Sequence, residues 1–366
     1  MYTISSDYFR QQLEKAATIP PARSSLPIIQ NILLRSVGHC LVLMATDLEN
    51  FIEIPLWANG EGEINIVFPA SIVINTLKNI DNQQIQISQV AESLIIKSDV
   101  GEYKIQGFAG ADFPILQQPA PDNEVSIDAS LLYDLLDGNS FACSKDSMKP
   151  AMCGIFFKFD EIGIEVASTD AHILARRSIA TGNFDAFEFV LSGEAVKSLQ
   201  KSNPKKEDVK IQASNKSIWF EFGETKIGCR RVNERFPEYN NVIPPSSTSK
   251  AIIDKKDLQK ALTRLLVYAN KTTFMGKFKF DAGRLNLISE NLDNSGVANE
   301  HLNITYHGEP LEIGFNMQLM KAVVDHIKGD EVEFALGHAS RACVITSQQD
   351  PEATMLIMPV MLNSHY

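Results

Sequence analysis

The sequence predicts an α+β chain made of three tandem copies of one two-helix, antiparallel-sheet domain. Three observations predict it. The length, 366, is three times 122; several landmarks recur near that spacing; and short alternating apolar runs separated by turn residues fill the space between them. A period this long exceeds the roughly 20–50 residues of a solenoid repeat and matches a whole domain.

Each third opens on Ile-x4-[Phe/Leu]-x3-Leu: Ile4, Phe9 and Leu13; then Ile127, Leu132 and Leu136; then Ile253, Leu258 and Leu262. The isoleucine closes a strand, and the later apolar positions have helical spacing. Ser5-Ser6-Asp7, Asp128 and Asp254 supply side-chain oxygens where a helix N-terminus needs acceptors. Helices are therefore expected over residues 5–18, 128–145 and 254–271.

In the first third, Ile32–Val37, Cys40–Met44, Phe51–Pro55, Ile85–Val90, Ser93–Lys97 and Tyr103–Phe108 read as strands, which implies about eight per copy. Among them falls the second landmark, Val67–Lys78, with counterparts at Val190–Lys201 and Ile313–Val324, each 123 residues further on. It marks a strand end followed by a second helix, over 70–80, 193–206 and 316–328. Phe113-Pro114, Phe236-Pro237 and Met358-Pro359 close the copies at spacings of 123 and 122. The joints fall in the turn-rich stretches Gln117–Asn123 and Pro244–Ser249, giving expected domains 1–123, 124–248 and 249–366.

Composition sets the class. With 44% hydrophobic and 22% charged residues and a mean hydropathy of −0.08, the chain has material for several cores. No run approaches the ~18 apolar residues of a membrane span, and the polar N-terminus lacks a secretory pattern, so a cytoplasmic protein is expected. The five cysteines, at 40, 143, 153, 229 and 343, contain no C-x-x-C pair, which disfavours a disulfide framework or zinc site. Their apolar neighbours predict small buried hydrophobes.

A net charge of −11 argues by itself against nucleic acid. Its distribution argues otherwise. The six expected helices carry 0, +1, −2, +3, +3 and +1, a total of +6 that leaves −17 for the remainder. Lys197, Lys201, Lys205 and Lys206, and Lys255, Lys256, Lys260, Arg264 and Lys271, contribute most. Two readings stand: a solvated helix surface, or a sequence-independent face for phosphates.

No phosphate-binding loop, nucleophile elbow, H-E-x-x-H or dinucleotide fingerprint is present, and the seven histidines have no ligand spacing. No catalytic residue, metal site or cofactor is expected. The one candidate acid–base pair is Asp170 and His172 in Thr169-Asp170-Ala171-His172. Its counterpart, Thr46-Asp47-Leu48-Glu49, keeps the Thr-Asp but lacks the His, which predicts a strand-end turn whose Asp accepts backbone N–H bonds.

Taken in order along the chain, Arg23–Leu34, Ala45–Glu49, Ala111–Pro114, Ser168–Ala175, Arg235–Pro244 and Ile357–Val360 resemble the bacterial β sliding clamp family, the processivity subunit of DNA polymerase III. The resemblance implies the DNA clamp fold: a head-to-tail homodimer of six domains closed into a ring, with the helices lining a hole around duplex DNA. It implies no catalysis, and partners that include the polymerase, a clamp loader and other replication or repair proteins. These would bind through short linear peptides.

The resemblance places the peptide cleft at Met152, Thr169, Ala171, His172, Ile173, Leu174, Pro237, Asn241, Val242, Leu356, Met358, Pro359, Val360 and Met361. For the apolar members, Leu356 above all, ordinary core packing is the competing reading. The family often has Gly at 171 and Arg at 173 and 241, where this chain has Ala, Ile and Asn, and the tail Leu362–Tyr366 follows the cleft residues directly. DNA-facing residues would be Arg23, Lys149, the loop from Lys271 to Phe274, and Lys197 and Lys201 from the helices. Tyr103 and Ile105 would meet Tyr268 and Ala269 of a second copy, unless the tyrosines pack within their own domains. The alternatives are a three-module interaction scaffold that does not encircle DNA, or a hydrolase using Asp170 and His172.

Overall fold

A computed structural model describes residues 1–202, 208–245, 247, 249–291 and 296–362. Six helices occupy the expected places, two in each third: α1 (Ser6–Ala16), α2 (Ala70–Leu77), α3 (Ala129–Ser140), α4 (Gly193–Ser202), α5 (Lys255–Leu265) and α6 (Met317–His326). The opening helices are capped as their sequences predict. Ser5 Oγ accepts from Tyr8 N–H at 3.4 Å, Asp128 Oδ1 from Ser130 and Leu131 N–H at 2.6 and 3.3 Å, and Asp254 Oδ1 from Asp257 N–H at 2.8 Å.

Most helices are shorter than the apolar periodicity suggests, and this alters the charge argument. Within their described residues they carry 0, 0, −2, +1, +3 and 0, a total of +2. Lys78, Lys145, Lys271 and Lys328 lie beyond the helix ends, while Lys205 and Lys206 lie outside the described residues. Among the described residues only α5 is strongly basic.

Among the described residues all strand pairs are antiparallel, and sheets continue from one repeat into the next. The chain divides into two compact units, Met1–Tyr133 with Glu194–Arg231, and Asp134–Gly193 with Val232–Tyr366, so the middle repeat is shared between them. In the first unit a nine-stranded sheet passes from first-repeat to second-repeat strands where Asn50–Leu56 pairs with Thr225–Arg230. In the second unit the equivalent joint pairs Ile173–Ile179 with Ala353–Ile357, with Leu174 opposite Leu356. A five-stranded sheet in the first unit ends on Gly101–Gln106, and a four-stranded sheet in the second ends on Gly296–Asn303.

Packing follows the alternation of the strands. In the second unit α5 and α6 bury Leu258, Ala261, Leu262, Leu265, Met320, Val323 and Val324 in a core with Phe278, Phe280, Phe315 and Phe334. Burying each such side chain contributes roughly 1.5–3 kcal/mol. Cys229 and Cys343 are buried small hydrophobes as expected, but Cys143 and Cys153 are half-buried and Cys40 is exposed. Cys40 begins its strand directly after a turn through Gly38, where neighbouring apolar residues do not guarantee burial.

Candidate functional site

The turn Thr169–His172 joins the strands Ile164–Thr169 and Ile173–Ile179. Asp170 Oδ1 accepts from His172 N–H and Ile173 N–H, both at 2.8 Å, while the Thr169 hydroxyl donates to the Ile173 carbonyl at 2.6 Å and accepts from Ala171 N–H at 3.1 Å. The first-repeat turn is the same. Asp47 accepts from Glu49 and Asn50 N–H, and Thr46 bonds Asn50 and Leu48 in the same manner. Leu48 and Ala171 both adopt left-handed backbone, at φ 77° and 75°. Asp170 is therefore a turn former with its carboxylate engaged by main chain, and the acid–base reading of Asp170 and His172 fails.

Ala167 and Leu174, on either side of this turn, belong to a buried apolar cluster, called the floor below. Phe156, Ala167, Leu174, Val190, Phe236, Tyr239, Ala342 and Leu356 form one cluster in the second unit. Phe156 stacks on Phe236 with centroids 5.1 Å apart, and Tyr239 stands edge-on to Phe236 at 5.9 Å. The Tyr239 hydroxyl donates to Glu165, which also takes Arg176 Nε at 2.8 Å. Burial, reinforced by that carboxylate, pushes the Tyr239 hydroxyl pKa up, so it remains a donor.

The expected cleft residues divide into floor, rim and others. Leu174 and Leu356 are floor, buried as core packing predicted, yet part of this cluster. His172, Ala171, Pro237, Asn241, Val242, Met358 and Met361 are exposed, with Met361 88% accessible, and Pro359 and Val360 are partly so. The final segment is tied down by Met358 N–H to the His172 carbonyl and Val360 N–H to the Gly314 carbonyl, each 2.8 Å. Residues 363–366 of the tail lie outside the described residues. Met152 is half-buried in the 3-10 turn Pro150–Cys153, which leads into the strand carrying Phe156.

Two members need correction. Ile173 is buried in the other core, with Phe278 and Phe334, because successive strand residues point to opposite faces and its neighbour Leu174 joins the Phe156–Leu356 cluster. Thr169 is buried and its hydroxyl is engaged in the turn. Sequence reasoning also missed Phe156, Tyr239 and Ala342. The signal for them lies in the repeat itself.

Six members of the first unit's corresponding cluster map onto this floor at a separation of 123 residues: Leu33 on Phe156, Met44 on Ala167, Phe51 on Leu174, Val67 on Val190, Phe113 on Phe236, and Trp219 on Ala342. Trp219 is buried against Phe51, 5.8 Å between centroids, and fills its cluster. Ala342 removes an indole from the equivalent place.

This ordered series of repeats, turns and shared sheets decides the family. Residues 1–117, 126–238 and 240–361 match the family models for the N-terminal, central and C-terminal domains of the DNA polymerase III beta subunit. The chain belongs to the DNA polymerase III beta subunit family. Its fold is that of the sliding clamp, and the family is a non-catalytic processivity component of the polymerase. The beta sliding clamps of Vibrio cholerae and Caulobacter vibrioides are each 24% identical to this chain, over 99% and 98% of its length and 100% and 99% of theirs. The DNA polymerase III beta subunit of Thermotoga maritima superimposes with a TM-score of 0.93 at 22% identity, over 99% of this chain and 100% of that one. A sliding clamp of Bartonella birtlesii bound to griselimycin superimposes with a TM-score of 0.93 at 27% identity, over 99% and 100%.

Among the expected DNA-facing residues of this sliding clamp family member, Arg23, Lys149, Lys197, Lys201 and Lys271 are exposed and Phe274 is half-buried. Lys271 Nζ donates to the Leu266 carbonyl at 3.0 Å, closing the turn after α5. Between α5 and α6 runs a groove of about 510 Å³ lined by Lys256, Gln259, Lys260, Thr263, Arg264, Lys321 and Asp325. Its cations are partly engaged, since Arg264 grips Glu300 at 2.8 Å through Nε and Lys321 pairs with Asp325 at 2.5 Å. Such screened surface pairs contribute little to stability but temper the local potential.

At the expected dimer contact, Tyr103 is half-exposed on Gly101–Gln106 and Tyr268 is 47% exposed. Ile105 and Ala269 are buried within the protomer, so their side chains offer no free area to another copy. Val267, Tyr268 and Val297 instead leave apolar surface beside the sheet-ending strand Gly296–Asn303. No helix among the described residues is long and apolar enough to cross a membrane, and no cluster of three or more metal-ligating His, Cys, Asp or Glu is found among them.

Proposed function

We propose that this chain forms a head-to-tail homodimeric ring around duplex DNA and presents the Leu174–Leu356 floor to short apolar peptides of its partners. Those partners are the DNA polymerase III catalytic subunit, the clamp loader and other replication or repair proteins, in the cytoplasm. The repeating domains would be 1–123, 124–248 and 249–366, a division supported by the strands that begin at Asn123 and Ser249.

The observation that carries the partner site is the Trp219–Ala342 difference. Two clusters share one register, yet the place that Trp219 takes in the first is held by Ala342 in the second, whose neighbouring turn and final segment carry the exposed His172, Met358 and Met361. Met358, Met361 and Val242 supply adaptable apolar contact area around it. Ring closure is supported by the two sheet-ending strands, Gly101–Gln106 and Gly296–Asn303, which have unoccupied pairing edges, the groups through which sheets extend from one chain to another. A heterologous contact of this kind closes when the rotation permits.

Holding DNA by topology requires no tight grip. A modestly basic α5–α6 groove favours phosphates without arresting sliding, while the net charge of −11 discourages adsorption elsewhere. Loading onto nicked circular DNA by the cognate loader tests the reading. Linearising the circle should release the protein, and equal retention on circular and linear DNA would sink it.

A further inference from the structure

We propose that Cys143 and Cys153 form a peroxide-responsive modification site, a thiol pair that closes to a disulfide and fixes the loop 144–152. After α3 the chain turns back on itself, and Ser144 N–H donates to the Met152 carbonyl at 2.8 Å. That bond brings the two ends of the loop together, with Cys153 closing the 3-10 turn Pro150–Cys153. A disulfide needs Cα atoms about 4.4–6.8 Å apart, and the bonds of the two thiols place each cysteine against the other's segment.

Each thiol reaches across to the other segment. Cys143 Sγ donates to the Gly154 carbonyl at 3.3 Å, and Cys153 Sγ to the Asp146 carbonyl at 3.1 Å. Burial, with Cys153 adding to it, pushes the Cys143 thiol up to about 12, so Cys143 rests protonated. Cys153 makes its bond on the exposed side of the turn, and peroxide meets it first. Cys229 and Cys343 are fully enclosed, and Cys40 is exposed on a separate hairpin.

The chemistry balances with hydrogen peroxide as oxidant. The Cys153 sulfur attacks one peroxide oxygen, the O–O bond breaks, and the other oxygen leaves as water, giving a sulfenic acid. The Cys143 sulfur then attacks that sulfur and its proton leaves with the displaced hydroxide as a second water. Two thiols are oxidised by two electrons and one peroxide becomes two waters. A low-molecular-weight thiol reverses the bond. The closed ring holds Lys149, Met152 and the turn Pro150–Cys153 in one arrangement; any effect on partner peptides rests on the proposed cleft, whereas the disulfide does not.

Full-length protein carrying Cys40→Ser, treated with hydrogen peroxide, decides the matter by intact mass and a non-reducing peptide map. Closure gives a mass loss of about 2 Da, restored by dithiothreitol, and one linked peptide pair containing Cys143 and Cys153. A gain of about 16 or 32 Da without that linked pair, or two thiols that remain open to alkylation, overturns the proposal. In the same background Cys143→Ser should accumulate a sulfenic acid at Cys153 that a dimedone probe traps. Should that variant fail to fold, the map of the Cys40→Ser protein is sufficient.

Discussion

Arg177 and Asp350 form a buried two-pronged ion pair, Nη1 to Oδ1 at 2.9 Å and Nη2 to Oδ2 at 3.1 Å, each residue only 5% exposed. The pair joins a second-repeat strand to a third-repeat loop; Arg177 also donates to the His326 carbonyl and Asp350 accepts from Lys328 N–H, while the buried Arg177 Nε has no acceptor among the described residues. Gly138 of α3 makes room for it, since a Cβ there would lie 2.2 Å from Arg177 Nε. Arg177→Met should lower unfolding stability by about 3–5 kcal/mol because it strands a buried carboxylate. Pairing it with Asp350→Asn should recover part of the loss in a urea-denaturation double-mutant cycle, and simple additivity would refute the coupling. Gly138→Ala should also destabilise, against the usual helix preference for alanine.

Left-handed backbone at Ala171 and Leu48 gives a second prediction. Non-glycine residues there carry a cost of roughly 1–2 kcal/mol, so Ala171→Gly should stabilise by about 1 kcal/mol in thermal or chemical denaturation. Leu48→Gly, in the matching turn, provides the paired control. Asp170→Ala should destabilise by removing the acceptor of two backbone N–H groups.

Trp219 and Ala342 hold matching places, 123 residues apart, in the two clusters. Ala342→Trp should weaken binding of a partner peptide at least about tenfold, measured by fluorescence anisotropy, because an indole would occupy the floor the peptide needs. Retention of wild-type affinity in a folded variant would move the site elsewhere. Trp219→Ala should cost about 3–5 kcal/mol through the cavity it creates.

Acid sensitivity follows from Glu312. Its carboxylate bonds Lys279 at 2.8 Å and Lys277 at 3.1 Å, and these partners, Lys279 foremost, hold its pKa below the ordinary 4.5. The folded form therefore binds the proton less readily than the unfolded form. The contribution is complete above about pH 4.5 and is lost as pH falls through the lower folded value. Glu312→Gln should lower stability modestly at neutral pH, where the contribution is complete, and converge on the wild type in acid, which flattens the acid limb of a stability-against-pH curve.

Local chemistry explains why so much was legible early. The caps at Ser5, Asp128 and Asp254, and the Thr-Asp turns at 46 and 169, depend on side chains bonding backbone two or three residues away, so neighbouring letters suffice. Helix ends were less legible, because apolar spacing runs on into caps and turns. Lys78 and Lys328 fall in that overrun.

By itself the sequence determined three copies of one α+β domain, the places of their helices, and a resemblance that named the family. Only the tertiary structure decided which side of a strand each site residue occupies, sending Ile173 to the third-repeat core and Leu174 to the cluster with Phe156 and Leu356. It also decided that sheets cross the repeat joints, that Arg177 is neutralised by a residue 173 positions away, and that Trp219 and Ala342 take matching places in two clusters. The reason is physical. A repeat is written in local spacing, whereas a cleft is the volume left between side chains brought together from distant segments, and that volume exists only once they pack.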